Sequence, residues 1–323
     1  MATKLIQGRK ALAHEPGPFG WSRIGDYLFC ARLAELNLRL GRSASNQFPS
    51  RALFVGGLVH EYLAALFQRI RVHQQGGDYA EWCDPWAMME AHREQYQRGP
   101  QAAWVKHAIN IGQTLLGIPA PGWTGVIPQD FVGYPDLKLW ARTSDEVLAV
   151  EEVGTWDLQD GYTYMPRLDL VLRVNGKVVA IDWKTTRMPC VEQALPLEVD
   201  KVKRHEKDLV KFHGASGQFQ AMFQLQVAGH SVDGVRVGKI FAPDEKGPMF
   251  KWITIERPPE PMVEELAHSM RQSIRGLAKL QEQAEQGTTW PATARRFNDR
   301  VCVSDYGPCK HYDVCHGKKA LDG

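Results

Sequence analysis

An α/β (α+β) fold, with a mixed central sheet flanked by helices, is predicted by three features of the chain. The stretch "RLDLVLRVNGKVVAIDWKTT", residues 167–186, alternates apolar residues on both sides of Asn175-Gly176. An Asn-Gly pair between such runs is the strongest short-range signal for a hairpin. A second strand pair follows in "GVRVGKIFA" and "MFKWITIER". Before and after these strands lie long segments whose apolar residues recur near the 3.6-residue helical period, and helices packed on a sheet give this fold class.

The elements run in order. "YLFCARLAELNLRLG" reads as a helix ending at Gly41, and "ALFVGGLVHEYLAALFQRIRVHQ" as a second, stronger one. Residues 76–125, rich in tryptophan and glutamine, are expected to be helical with a break at Gly99-Pro100, within a helical insert over 61–130. "VIPQDFVGYPDLKLWA" and "EVLAVEEVGTWDL" are strand-like and lead into the hairpin. The basic "KVKRHEKDLVK" and the amphipathic "SGQFQAMFQLQVAGH" come next, then the second strand pair. "PPEPMVEELAHSMRQSIRGLAKLQEQAEQ" carries helical spacing throughout. From Thr288 the chain is loop-like and holds three cysteines. No internal repeat or long linker breaks the 323 residues, so one domain over 1–323 is expected, closed by a cysteine-rich tail at 288–323.

The hairpin carries charges where aliphatic residues would be usual. With Asn175 and Gly176 as the two turn residues, Val174 faces Lys177 and Asp169 faces Asp182. Side chains alternate with period two, so Asp182 and Lys184 share a face, with Asp169 beside them. Facing Cβ atoms stand roughly 4.5–5.5 Å apart, and like charges so placed destabilise a sheet. A divalent cation removes that penalty, because carboxylate oxygens are its preferred ligands. A polar sheet face with incidental charges is the plain alternative. His60 precedes Leu63, Ala64 and Phe67 at i+3, i+4 and i+7, so it points with the apolar face of its helix. A lone histidine there is usually a hydrogen-bonded core residue, and it becomes a ligand candidate beside a metal site.

Composition narrows the classes. Hydrophobic residues make up 44% and charged residues 24%, as in ordinary globular proteins. The net charge of +2 means that a nucleic-acid surface has to be a local patch. No run has the apolar length of a membrane span, and "MATKLIQGRK" lacks the apolar stretch of a signal peptide, so a cytoplasmic compartment is expected. There, six cysteines are metal ligands or free thiols more often than disulfides. Cys302, Cys309 and Cys315 form C-x6-C-x5-C; a complete soft-metal site needs a fourth thiolate, from Cys30, Cys83 or Cys190, and would suit iron–sulfur or zinc.

Together these motifs resemble the PD-(D/E)xK nucleases. Within them the likeness is to the RecB-like branch clasped by an iron–sulfur cluster, which includes the fourth CRISPR-associated protein family, the AddB nuclease domain and phage exonucleases. "SRIGDYLFCAR" is similar to the S-x4-Y-x2-C opening through Ser22, Tyr27 and Cys30, with Ala31 in place of proline. "GLVHEYL" is similar to the G-x2-H helix through Gly57 and His60. "PRLDLVL" supplies Asp169, with Pro166 in place of glycine, and "IDWKTT" supplies Asp182 and Lys184. "QFQAM" resembles the Q-h-x-x-Y helix through Gln218, with Met222 in place of tyrosine. The likeness runs over about residues 22–315, with the motifs in the family's order.

The resemblance implies a restriction-endonuclease-like core and a metal-dependent DNA exonuclease acting at ends, with a preference for single strands. It implies one or two Mg2+ or Mn2+ ions held by His60, Asp169, Asp182 and the main-chain carbonyl of Trp183, with Lys184 and Gln218 completing the catalytic set. Cys30, Cys302, Cys309 and Cys315 would hold a structural [4Fe-4S] cluster. The alternatives it leaves are a CRISPR spacer-processing or helicase-coupled recombination subunit and a non-catalytic DNA-end binder. No G-x4-G-K-[ST] occurs, so any motor would be a separate chain. The resemblance also allows a recombinase, single-strand annealing or CRISPR adaptation partner. Glu151 and Glu152 read as surface residues in preference to an upstream acidic ligand. The basic segment 201–211, Arg295, Arg296, Arg300 and Lys318-Lys319 could line a phosphate path or be solvated faces. Trp82, Trp86, Trp104, Trp123 and Tyr96 read as core more readily than as a base-stacking platform.

Overall fold

The hairpin forms as its turn chemistry dictates: Asn175 and Gly176 have φ of 50° and 78°, the left-handed pair that a tight two-residue hairpin turn needs. It belongs to a computed structural model that describes residues 51–77, 84–99, 101–116, 146–186, 216–241, 249–286, 303–304 and 307–308, with Trp21, Ile24, Tyr27 and Ala34 as single helical positions. The chain divides into two compact units: Met1–Glu15, Ser50–Gly154 and Arg167–Pro259 form the first, and Pro16–Pro49, Thr155–Pro166 and Glu260–Gly323 the second.

In the first unit, β1 (Glu146–Val153), β4 (Arg167–Val174), β5 (Lys177–Thr186), β8 (Gly234–Phe241) and β9 (Met249–Ile255) make a five-stranded sheet in the order β1-β4-β5-β8-β9. All neighbours are antiparallel except β5 and β8, which makes the sheet mixed. A parallel pair needs a long crossover. Residues 187–233 supply it, carrying the short helix α4 (Gly217–Met222) and the hairpin of β6 (Gln226–Val227) and β7 (His230–Ser231). The amphipathic segment 216–230 is thus part helix and part hairpin, turning at Ala228 and Gly229, both with positive φ. Asp233 fastens the entry to β8 by exchanging two bonds with Val178: its Oδ2 accepts from the Val178 N–H at 2.9 Å, and its own N–H donates to the Val178 carbonyl at 2.8 Å.

α1 (Arg51–Gln74) lies on one sheet face, and α2 (Pro85–Gln95) and α3 (Gln101–Leu116) pack against α1. Along α1, Val55, Leu58, Val59, Tyr62, Leu63, Leu66 and Phe67 are buried, the three-and-four spacing of an apolar stripe. They meet Leu170, Leu172, Val179, Ile181 and Trp183, with the Phe67 and Trp183 rings stacked 6.0 Å apart. Asp84 caps α2 by accepting from the Trp86 and Ala87 N–H groups, and Pro85 occupies the first helical position, where its missing donor is harmless. Trp86, Trp104 and Tyr96 are partly buried against this core, as the plainer reading of the aromatics expects. Trp82, Trp123, the segment 126–141, the basic run 201–211 and the tail arginines and lysines lie outside the described residues.

Gly112 of α3 shows how tightly these helices pack. A Cβ there would stand 2.5 Å from the Met89 Cε and 2.7 Å from the Tyr62 ring. Gly112→Ala is expected to destabilise the fold: overpacking costs about 1–3 kcal/mol, against about 1 kcal/mol of better helix propensity. Urea unfolding followed by circular dichroism checks this through a lower midpoint.

In the second unit, α5 (Glu260–Glu285) buries Val263, Met270, Ile274, Leu277 and Leu280. Arg271 on this helix donates to the Leu158 carbonyl at 2.7 Å, beside the small hairpin of β2 (Trp156–Asp157) and β3 (Thr163–Tyr164). Gly276 lies so close to Tyr27 that a side chain there would displace the ring. β10 (Val303–Ser304) pairs with β11 (Gly307–Pro308). Among the described residues, no helix is long and apolar enough to cross a membrane.

Candidate active site

The backbone ladder between β4 and β5 runs from Val174↔Lys177 to Leu170↔Ile181 in the expected register, and there it stops. One residue further on, the Asp169 carboxylate takes over the pairing: its Oδ2 accepts the Trp183 N–H at 2.7 Å. Asp182 continues along β5 against Val237 of β8, so the D-x-K strand is the central one of five. Lys184, two residues on and on the same face, places Nζ 2.6 Å from Asp182 Oδ2 and 5.9 Å from the centre of the Phe219 ring. From α4, Gln218 reaches the same carboxylate, its Nε2 donating to Asp182 Oδ1 at 3.4 Å.

His60 approaches from the helix layer, with Nδ1 3.7 Å from Asp169 Oδ2. A glycine makes this possible. A Cβ on Gly56 would stand 2.5 Å from Thr185 Oγ1, so only a bare backbone lets α1 descend on the end of β5 at that point. His60 follows one helical turn later on the same side. Gly57, the glycine in the motif that resembles the nuclease family, has open space around it; the close approach belongs to Gly56.

Burial dominates the electrostatics. It pushes the Asp182 carboxyl up from 3.8 to about 6; the Lys184 ammonium opposes it and the Asp169 charge adds to it. Burial also raises Asp169, against the Trp183 N–H, Lys184 and Arg167. The His60 imidazole is driven down from 6.5 to about 4, again mainly by burial, with Asp182 pulling upward and Lys184 and Arg167 downward; a hydrogen bond with the Trp183 backbone also favours the protonated ring. At neutral pH the ring is neutral and its lone pair available, with two desolvated carboxyl groups beside it.

Two observations bear on a divalent cation. Asp182 Oδ2 is buried and touches the Lys184 ammonium, yet receives no well-directed hydrogen bond. Two hard carboxylates with one neutral imidazole form a donor set suited to Mg2+ or Mn2+, the imidazole leaning towards Mn2+. Among the described residues, no group of three or more His, Cys, Asp or Glu stands at ligating distance, and the Lys184 ammonium supplies the counter-charge to Asp182. The donor types fit a hard cation.

The structure thus brings together His60, Asp169, Asp182, the Trp183 backbone, Lys184 and Gln218. Cys30, Cys302, Cys309 and Cys315 lie outside the described residues, as do Cys83 and Cys190. Glu151 and Glu152 make ion pairs, to Arg167 at 3.0 Å and to Arg71 at 3.4 Å. Sequence reasoning missed Gly56, Phe219 and Arg167. Arg167 had a signal, since it lies two residues before Asp169 and therefore on the same strand face.

No family model matches this chain, and no curated protein does. Among solved structures, the crystal structure of SSO0001 aligns with 70% of this chain and 87% of its own, at 16% identity and a TM-score of 0.25. The site is therefore read from its own geometry.

Proposed function

We propose that this chain is a metal-dependent DNA exonuclease of the PD-(D/E)xK type, with a nuclease-like core built on the five-stranded sheet. It would hydrolyse phosphodiester bonds at DNA ends, prefer single strands, and leave 5′-phosphate and 3′-hydroxyl products. The observation that carries this reading is the convergence of Asp169, Asp182, Lys184, His60 and Gln218 at one ladder end, from three separate segments.

A divalent cation held by His60, Asp169, Asp182 and the main-chain carbonyl of Trp183 would polarise a phosphate and lower the pKa of a bound water. The chain's own groups have separable tasks. The Trp183 N–H fixes one Asp169 oxygen and the Gln218 amide one Asp182 oxygen, so each carboxylate is held from one side. Neutral His60 adds a lone pair without adding positive charge. Lys184 is about two-fifths exposed while its ammonium touches Asp182, so it can turn to a substrate phosphate and offset charge as it develops.

The four cysteines would hold a [4Fe-4S] cluster, the count such a cluster requires. Cys302 and Cys309 are the covalent neighbours of Val303 and Pro308, which pair across β10 and β11. The cluster's job would be structural, closing a very large loop between Cys30 and the tail.

One anaerobic preparation tests both parts. Iron and sulfide are expected at about four per chain, and end-labelled single strands should shorten progressively with Mn2+, with slower loss of duplex. Zinc in place of iron would remove the cluster and keep the nuclease. Iron-loaded protein that binds ends and never cleaves with Mg2+ or Mn2+ would leave an end-binding protein instead.

A further inference from the structure

Acidic and basic residues share the sheet face that carries the site. In the β1–β4 register Val150 faces Leu170 and Glu152 faces Leu168, so Glu151 stands opposite Asp169. The β4–β5 ladder ends at Leu170↔Ile181; beyond it, side-chain alternation keeps Arg167 with Asp169 on β4, and Lys184 with Asp182 on β5, on this same face. This face therefore carries Glu151, Asp169 and Asp182 together with Arg167 and Lys184. Each base already neutralises an acid, Arg167 on Glu151 and Lys184 on Asp182, and each keeps about two-fifths of its side chain exposed to a further anion.

Arg167 is also anchored. Its Nε lies 3.0 Å from Glu151 Oε2, and Glu151 has φ of 53°, a left-handed backbone that a residue with a side chain adopts only when its surroundings impose it. The pair with Glu151 runs through Nε, and the two Nη groups of a guanidinium carry four further N–H donors in a plane suited to phosphate. The side chain is two-fifths exposed, and its charge reaches both His60 and Asp169. Lys184 sits on Asp182. Lys184 acts on both aspartates, and Arg167 acts on Asp169 besides its pair with Glu151.

We propose that Arg167, oriented by Glu151, is a second phosphate-binding cation of this site and takes a non-bridging oxygen of one DNA phosphate beside the Asp169 carboxylate. This rests on the nuclease reading and names a contact within it.

The experiment uses the full chain and short single strands in which one phosphate at a time, counted from the end, is replaced by an uncharged methylphosphonate. Affinity is measured in Ca2+ and single-turnover cleavage in Mn2+. Wild type should lose about 10-fold or more in affinity at one particular phosphate, the scale of a charge-assisted hydrogen bond. Arg167→Ala should bind every oligonucleotide as weakly as wild type binds that one, with no further loss at that position. Arg167→Lys should recover part of the loss, and Glu151→Gln, which keeps the guanidinium, should blunt the position-specific loss without removing it. The idea is overturned if Arg167→Ala remains as sensitive as wild type to the same phosphate, or loses affinity only in step with a lower melting temperature. Position-specific binding through Arg167 in a wild type that never cleaves would keep this contact and sink the exonuclease reading.

Discussion

Lys184→Ala is expected to lower the rate of DNA cleavage by on the order of 10²–10³-fold, the scale of losing one preorganised charge at a developing oxyanion. Affinity for uncleaved DNA should change less, because the Lys184 ammonium rests on Asp182 and turns to phosphate charge as it develops. The assay conditions matter, because Lys184 also lowers the Asp182 carboxyl. Without the ammonium that carboxyl rises further and a proton competes better with the cation. Single-turnover cleavage at pH 8 and saturating Mn2+ isolates the effect on the reaction step, and titration of Mn2+ at pH 6.5 should show a separate, weaker cation affinity. Unchanged cleavage at pH 8 would remove Lys184 from the chemistry.

Asp182→Asn is expected to abolish cleavage and at the same time stabilise the metal-free protein. Burial raises the Asp182 carboxyl from 3.8 to about 6, so its ionised form opposes folding. The sign follows from linkage. Stability from the protonated acid is fully present below the unfolded value of 3.8 and is lost as pH rises through about 6. Above that, the ionised carboxylate holds back about 3 kcal/mol, which asparagine does not incur. His60 has the opposite slope: its neutral ring contributes stability present above 6.5 and lost as pH falls through about 4. Between about 4 and 6 the two contributions offset, as if folding moved one proton from the imidazole to the carboxyl. Melting temperatures in EDTA should therefore be nearly flat for wild type across that window as far as this pair contributes. Asp182→Asn should melt higher at pH 7 and lose stability towards pH 4. Added Mn2+ should raise the wild-type melting temperature, by about 2.7 kcal/mol of stability at 100 times its Kd, and leave Asp182→Asn unmoved. A variant that melts lower than wild type at pH 7 in EDTA would contradict this account.

These two residues were legible in the sequence for a geometric reason. A two-residue Asn-Gly turn ties every later pair of β4 and β5 to one register, and period two then puts Asp182 and Lys184 on the face of Asp169. His60 was legible more weakly, through its place on the apolar stripe of α1. Gln218 was visible only as a resemblance, since 36 residues separate it from the carboxylate that it meets. Glu151 shows the limit most clearly: surface placement was the natural reading of "AVEEV", and the residue is instead twisted onto Arg167 with a left-handed backbone.

Short windows of the sequence set the local part: the hairpin, its register, and the strand and helix periods. Turn sterics and side-chain alternation act over a few residues and leave little choice. Tertiary structure alone decided that the ladder stops one pair short, freeing Asp169 for the Trp183 N–H. It likewise decided that Gly56, and not Gly57, lets α1 down onto Thr185, that β8 runs parallel to the D-x-K strand, and that burial drives Asp182 and His60 in opposite directions. Those outcomes depend on the close packing of segments far apart in the chain and on the water that this packing excludes, and no window of neighbouring residues contains either.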